Sequence, residues 1–131
     1  MEQSGPHQFV IHQVPGVLAV VRLHPGAAVP SWASTGALSA IVRTSNELTV
    51  VCDETAVPEG MQCERGWVAL MLEGEFPFTM SGVLSSLLTP LAESGISVFV
   101  LSTFGTDCIL VKAGEAEQAK HSLEGRGHSF Q

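Results

Sequence analysis

The sequence predicts an α+β fold of two ferredoxin-like (βαββαβ) units, the first degenerate, with antiparallel sheets and helices on one face. Short apolar runs rich in β-branched residues recur between turns that contain Gly and Pro, which is typical of strands. The second half also contains one clear helical stripe. The predicted order in the second half is strand, helix, strand, strand and helix. The first half shows the same order of strands but contains little helix. We therefore predict a degenerate first domain at residues 1–62 and a complete second domain at residues 63–131.

The first half contains four predicted strands and little helix. The strands are Phe9–Ile11, Val17–Val21, Leu38–Arg43 and Glu47–Cys52. Residues 24–37 are rich in Gly, Ala, Ser and Pro, and they predict at most one short helix, from Val29 to Ser34. Such a small unit buries little core alone, so we expect it to pack against the second.

The second half contains clearer elements. Its predicted strands are Trp67–Leu72, Ile96–Thr103, Cys108–Lys112 and a short final strand near His128–Phe130. A modest helix is predicted from Gly114 to Glu124.

The stronger predicted helix runs from Met80 to Ser94. Its apolar stripe consists of Val83, Leu84, Leu87, Leu88 and Leu91. Thr79 or Ser81 is a candidate N-cap, and Gly95 ends the helix. The helix contains Pro90, which cannot donate a backbone hydrogen bond, so we predict a kink there or two helical pieces.

The charge balance excludes several classes of function. Thirteen acidic and six basic residues give a net charge of −7, which disfavours nucleic acids and anionic membranes as partners. No stretch approaches the roughly 20 apolar residues that span a bilayer, and the polar first residues do not resemble a signal peptide. Three cysteines, two of them in apolar runs, predict reduced thiols in a cytoplasmic protein.

The residues predict neither an enzyme nor a metal or cofactor site. The sequence contains no GxSxG, P-loop or GxGxxG motif. Its five histidines are scattered without the spacing of a zinc site. Glu73 and Glu75 flank Gly74 on a predicted loop. Two carboxylates in such a loop are more often exposed to solvent at the surface than used for acid–base catalysis. We therefore expect binding rather than catalysis.

Residues 89–111 resemble the tandem ACT-domain family, which includes the CASTOR arginine sensors and short bacterial ACT proteins. The matching pattern is PLAE-x-GIS-V-x-x-LSTF-x-TD-x-ILV. A weaker similarity covers Leu48–Glu54 and the strand that begins at Trp67, and a more distant one extends to the regulatory domains of aspartate kinases. The resemblance implies a regulatory sensor whose ACT domains bind a small molecule, typically a free amino acid.

The resemblance also implies a ligand site. It assigns Thr103, Phe104 and Asp107 to that site, together with the backbone of Gly82 and Val83 at the helix start. The residue chemistry is suitable, because the N–H groups of a helix N-terminus bind a carboxylate. The Asp107 carboxylate can accept from an ammonium, and Phe104 can cover an aliphatic stem.

Three further positions complete the implied site. Ser97 and Val98 face the ligand from a partner domain. Met80 stands where an arginine-binding relative has an acidic residue that holds the guanidinium. The sequence therefore disfavours arginine unless Glu73 or Glu75 replaces that residue, and it predicts an amino acid ligand without choosing among them.

The expected assembly is a homodimer. The arginine sensors carry four ACT units in one chain and bind ligand between the second and the fourth, whereas this chain has two. A symmetric dimer rebuilds the four-unit arrangement, with the ligand near the contact between second domains. A monomer with its site between its own domains is the alternative assembly. The alternative function is a protein–protein interaction module that has lost its ligand and pairs through its sheet edges.

Overall fold

A computed structural model describes residues 8–77 and 80–131 of the chain. These residues divide into two compact units. We call residues 14–69 the N-terminal unit, and residues 8–13 together with the described part of residues 70–131 the C-terminal unit. No helix in the described ranges is both long and apolar enough to cross a membrane.

The described residues form strands β1 to β8 and helices α1 and α2. In chain order they are β1 (Val10–Gln13), β2 (Leu18–Leu23), β3 (Ala40–Arg43), β4 (Leu48–Asp53), β5 (Cys63–Leu72), α1 (Val83–Glu93), β6 (Phe99–Ser102), β7 (Asp107–Lys112), α2 (Ala116–Glu124) and β8 (Ser129–Phe130). Short 3-10 turns at Glu54–Ala56 and Ala113–Glu115 follow β4 and β7. The predicted strands and the two longer predicted helices are all present, with shifted ends.

The N-terminal unit is an antiparallel sheet in the order β3-β4-β2-β5. Alternate strand residues share a face of the sheet, and one face of β2 and β4 is buried in a single cluster. The cluster consists of Ala19, Val21, Ala33, Leu48, Val50, Cys52 and Val57. Within residues 14–69 no α-helix forms, and residues 31–34 form turns. The first unit is therefore degenerate, as predicted.

The C-terminal unit has the strand order β6-β7-β5-β1-β8. The β1–β5 and β6–β7 pairs are antiparallel, whereas β1 and β8 run parallel. Helices α1 and α2 contact each other, and each buries part of its apolar stripe, whereas Leu84 and Leu88 of α1 are partly exposed. The buried helix residues are Val83, Leu87, Pro90, Leu91, Ala119 and Leu123. The α+β fold with antiparallel sheets is confirmed.

Strand β1 lies in a different unit from the one predicted. It falls within the predicted first domain, residues 1–62, but it pairs with residues 70–72 of β5 and with β8. Residues 63–69, which were predicted to begin the second domain, belong to the N-terminal unit. A short apolar run carries no information about its pairing partner, which explains the difference. The predicted boundary between two domains, at residues 62 and 63, stays a prediction.

Helix α1 is continuous through Pro90, so the predicted division into two helical pieces is wrong. Because proline has no N–H, the Ser86 carbonyl lacks its usual helical donor. His128 takes the place of that donor, with its Nε2 atom 3.1 Å from the Ser86 oxygen. A carbonyl oxygen only accepts hydrogen bonds, so Nε2 carries the proton.

His128 is bound at both ring nitrogens. Its Nδ1 accepts a hydrogen bond from the Phe9 backbone N–H at 3.0 Å, and its ring stacks on that of Phe9 with centroids 5.7 Å apart. The residue is only 3% exposed. Burial lowers the pKa of His128 below its usual value, against the opposing effect of the bond to Ser86. The neutral imidazole of His128, which immediately precedes β8, therefore connects two other segments: Phe9 before β1 and Ser86 in the first turn of α1.

We predict that neutral His128 makes the folded protein less stable in acid. The unfolded chain takes up a proton near pH 6.5, whereas the folded chain takes it up only at a lower pH. The stability that His128 contributes is therefore complete above about pH 6.5 and is lost as the pH falls through the lowered pKa. Denaturant unfolding between about pH 7.5 and about pH 5 measures this loss.

His128→Gln isolates the effect, because a glutamine amide can donate to the Ser86 carbonyl and does not titrate. Its free energy of unfolding should depend less on pH than that of the wild type. His128→Ala should be less stable at every pH, by about 1–3 kcal/mol, since it leaves the Ser86 carbonyl and the Phe9 N–H without partners. The same pH dependence in the wild type and in His128→Gln would contradict this account.

Candidate functional site

An open cleft in the C-terminal unit has a volume of about 340 Å³. The start of α1, the turn between β6 and β7, and the loop after β5 form its walls. The lining residues are Phe76, Pro77, Met80, Gly82, Val83, Leu84, Ser102, Thr103, Phe104, Thr106 and Asp107. The volume lies at the lower end of the range of ligand pockets, so the cleft suits a small molecule.

Gly82 begins α1 in the left-handed conformation, with φ 82° and ψ −1°, which glycine adopts without strain from a Cβ atom. Its carbonyl accepts the Ser86 N–H at 3.1 Å and the hydroxyls of Ser85 and Ser86 at 3.1 and 2.8 Å. Gly82 is the N-cap residue and supplies no side-chain cap, so Ser81 is not the N-cap as one prediction had it, and the other candidate, Thr79, lies outside the described residues. The N–H groups of the first turn have no intrahelical acceptor and carry a partial positive charge at this wall of the cleft.

Hydrogen bonds fix the turn between β6 and β7. The Thr103 N–H donates to the Thr106 carbonyl at 2.9 Å, and the Thr106 N–H donates to the Thr103 hydroxyl at 3.2 Å. The Thr106 hydroxyl donates to the Leu72 carbonyl at the end of β5, at 3.2 Å. The Phe76 N–H donates to the Gly105 carbonyl at 2.7 Å. The turn is thereby attached to β5 and to the loop that follows it.

Asp107 is the ionisable residue of the described lining. It begins β7 opposite Ser102, the last residue of β6, and the Ser102 hydroxyl donates to its Oδ1 atom at 2.6 Å. The Asp107 side chain is partly buried. Because a carboxylate accepts several hydrogen bonds, Asp107 can bind a cationic donor while Ser102 holds its orientation.

Apolar side chains form most of the remaining lining. Phe104 is 85% exposed and Met80 is 39% exposed, while Phe76 is half-buried and its ring meets that of Phe9 edge to face at 5.2 Å. Large apolar residues that line a cleft and remain exposed are typical of a surface that a ligand or another chain covers. The cleft therefore combines one carboxylate, hydroxyls, a helix N-terminus and an apolar wall.

Six of the eight predicted site residues line this cleft. They are Met80, Gly82, Val83, Thr103, Phe104 and Asp107. Ser97 and Val98 do not line it. They precede β6, whereas the cleft begins at its other end, and five residues of extended chain span roughly 16 Å. Their contact with a ligand stays a prediction that requires a second copy of the chain.

Five lining residues were not predicted from the sequence. These are Phe76, Pro77, Leu84, Ser102 and Thr106. Ser102 and Thr106 lie inside the quoted motif beside predicted site residues, so adjacency was an available signal. Phe76 lies beside the turn through its bond to Gly105, which no local sequence pattern reports.

The two carboxylates of the loop after β5 lie outside this cleft. The Glu73 carboxylate lies against the Nδ1 atom of His12 of β1. Glu75 lines an adjoining cleft of about 290 Å³ that shares Phe76, Pro77 and Phe104 with the first. In the described part of the chain, no cluster of His, Cys, Asp or Glu is arranged to hold a metal ion.

Comparison with known proteins identifies the family. A model described as an ACT domain matches residues 62–125, and a second model, described as an N-terminal domain, matches residues 16–60. The predicted resemblance to the ACT-domain family is confirmed, with an ACT domain matched at residues 62–125.

Three relatives show the extent of the similarity. Protein Atu0741 of Agobacterium tumefaciens is 32% identical, with 95% of this chain and 93% of that chain covered and a TM-score of 0.90. The human protein CASTOR3P is 32% identical over 96 residues, which are 63% of this chain and 59% of that protein's length. Aspartokinase III of E. coli, in a complex with aspartate and ADP, is 13% identical, with 96% of this chain and 35% of that chain covered and a TM-score of 0.64. At that identity the aspartokinase similarity concerns the fold alone.

We predict that the hydroxyl of Thr106 stabilises the wall of the cleft. Thr106→Val keeps the shape of the side chain but removes the donor to the Leu72 carbonyl, so the free energy of unfolding should fall by about 1 kcal/mol. Thr106→Ser keeps that donor and is the matched variant. Urea denaturation checks the difference, and equal losses of stability in the two variants would show that the hydroxyl contributes nothing.

Proposed function

We propose that this chain is a regulatory module that binds a free amino acid in the cleft of its C-terminal unit and catalyses no reaction there. The observation that carries the proposal is the convergence of complementary groups on one cleft: a carboxylate at Asp107, an uncapped helix N-terminus at Gly82, and the apolar side chains of Met80 and Phe104. An amino acid presents an ammonium, a carboxylate and a side chain to these three parts.

Asp107 accepts a hydrogen bond from the ligand ammonium in this proposal. Ser102 already holds Oδ1, which orients the carboxylate before the ligand arrives. A charge-assisted hydrogen bond to a partly buried carboxylate is stronger than one between neutral groups.

The first turn of α1 receives the ligand carboxylate. Gly82, its N-cap residue, supplies no side-chain cap, and the partial positive charge of the first turn favours an anion. The left-handed Gly82 has no side chain that would obstruct the approach of the ligand to this backbone.

The family supports a regulatory ligand-binding role. The chain is an ACT-domain protein, and the fold is similar to that of aspartokinases, one of which was solved in a complex with aspartate. The particular ligand, the regulated partner and the predicted cytoplasmic location stay predictions.

A second copy of the chain completes the site in this proposal. Phe104 is exposed at the cleft, and β6 pairs with β7 among the described strands. Ser97 and Val98 lie at the far end of this strand and do not reach their own cleft. A two-fold axis near β6 places them against the cleft of the partner, with two equivalent sites in a homodimer.

We predict that a thermal-shift screen of the twenty amino acids finds a ligand. At about 100 times its dissociation constant, a ligand that binds only the folded state adds about 2.7 kcal/mol of stability. Asp107→Asn should then bind at least about tenfold more weakly, since it loses a charge-assisted contact of roughly 1.4 kcal/mol. Titration calorimetry measures both affinities.

Glu124→Gln is the matched control, because it removes the same charge from an exposed residue of α2 that does not line the cleft. Its affinity should equal that of the wild type. Unchanged affinity in Asp107→Asn would refute the assignment of the site. A screen in which none of the twenty amino acids binds would favour the alternative, an interaction module without a ligand.

We also predict a homodimer at micromolar concentration. Analytical ultracentrifugation should give twice the 13.8 kDa mass of one chain, and added ligand should strengthen the association because each site contains residues of both copies. A monomeric mass with and without ligand would contradict the dimer and would leave Ser97 and Val98 outside the site.

A further inference from the structure

We propose that the cleft selects an amino acid whose side chain is uncharged and apolar, such as leucine or methionine. This inference rests on the proposed function, and it concerns which ligand the same site accepts.

The cleft offers one ionised side chain. Among its described lining residues only Asp107 carries a charge. The sequence between Pro77 and Met80 is Phe78 and Thr79, and neither residue ionises. With Asp107 bound to the ligand ammonium, no second carboxylate remains for a guanidinium or an ammonium on the ligand side chain.

The neighbouring carboxylates do not supply that second charge. The Glu73 carboxylate lies against the ring of His12 on β1, outside the cleft. Glu75 lies in the adjoining cleft and packs against Gly105. A Cβ atom added at Gly105 would come within 3.3 Å of the Glu75 Cγ atom. Phe104, Phe76 and Pro77 line both clefts, so the wall that the two clefts share is apolar.

An acidic side chain is disfavoured by the same distribution of charge. The described lining contains no Lys, Arg or His, and the whole chain has a net charge of −7. A second ligand carboxylate would therefore lose water without gaining a cationic partner, which is costly in a partly enclosed site.

The remaining surface suits an apolar side chain. Once Asp107 and the helix N-terminus hold the backbone groups of the ligand, the contacts left include Met80, Phe76 and Phe104. Met80 and Phe104 are exposed in the absence of a ligand, so covering them with an apolar side chain removes apolar surface from water. A flexible thioether such as that of Met80 adapts to aliphatic shapes.

Titration calorimetry on the full chain tests the selectivity with four probes: leucine, methionine, arginine and aspartate. Leucine or methionine should bind at least about tenfold more tightly than arginine or aspartate. Tighter binding of arginine or aspartate would overturn this inference and leave the proposed function intact. Failure of all twenty amino acids to bind would overturn the proposed function, and this inference with it.

Met80→Glu tests the residue that we assign to specificity. A carboxylate in the apolar wall should weaken leucine binding by about tenfold or more and should strengthen arginine binding. Val29→Glu is the matched control, because it adds the same charge at an apolar residue of the N-terminal unit that is 48% exposed and does not line the cleft. Its ligand preference should be that of the wild type.

Glu75→Gln separates the remaining alternative, in which a long cationic ligand crosses the aromatic surface into the adjoining cleft. We expect this variant to bind the same ligands as the wild type. Arginine binding that is present in the wild type and lost in Glu75→Gln would show that both clefts form one site, which contradicts the inference. Unchanged selectivity in Met80→Glu would also contradict it.

Discussion

Pro90 leaves the Ser86 carbonyl of α1 without its helical donor, and the arrangement of the C-terminal unit depends on how that carbonyl is satisfied. His128 satisfies it from the chain beyond α2, and the same imidazole accepts the N–H of Phe9 before β1. One buried ring therefore joins segments that are 119 residues apart in sequence. Because Ser86 belongs to the first turn of α1, this bond also helps to position the helix start that lines the cleft.

This constraint relates folding to the candidate site. An unpaired buried carbonyl costs free energy comparable to that of a lost hydrogen bond, so a helix with an internal proline needs a partner from outside the helix. The ring can play this part only in its neutral form, since a second ring proton would face the Phe9 N–H donor. The proline, the buried histidine and the position of α1 thus form one structural unit, although none of them contacts the proposed ligand directly.

The sequence predicted the strands, the two main helices and the degenerate first unit, because these follow from local periodicity and from turn residues. Gly82, Thr103 and Asp107 were predicted from the family resemblance, and the structure brings them to one cleft. Local patterns could not show that β1 pairs with the end of β5, since a strand of four residues is compatible with several partners. The role of His128 was also not predicted: its partners, Phe9 and Ser86, are distant in sequence.

The cleft has a simple chemical character. It is small, it has one carboxylate oriented by Ser102, and its other walls are a helix N-terminus and exposed apolar side chains. Those features favour an amphipathic zwitterion over a phosphate, a metal ion or a nucleic acid, each of which needs cationic residues or several ligating groups. The match of residues 62–125 to an ACT domain is consistent with that chemistry.

The most direct test of the central claim is to locate the bound ligand on the chain. Two-dimensional ¹H–¹⁵N NMR spectra recorded during a leucine titration report on each backbone amide separately. The account predicts that the signals of Gly82, Val83, Thr103 and Asp107 shift with a common affinity, while those of Val50 and Cys52 in the buried cluster of the N-terminal unit do not. Shifts confined to residues outside the cleft, or no shift with any of the twenty amino acids, would contradict it.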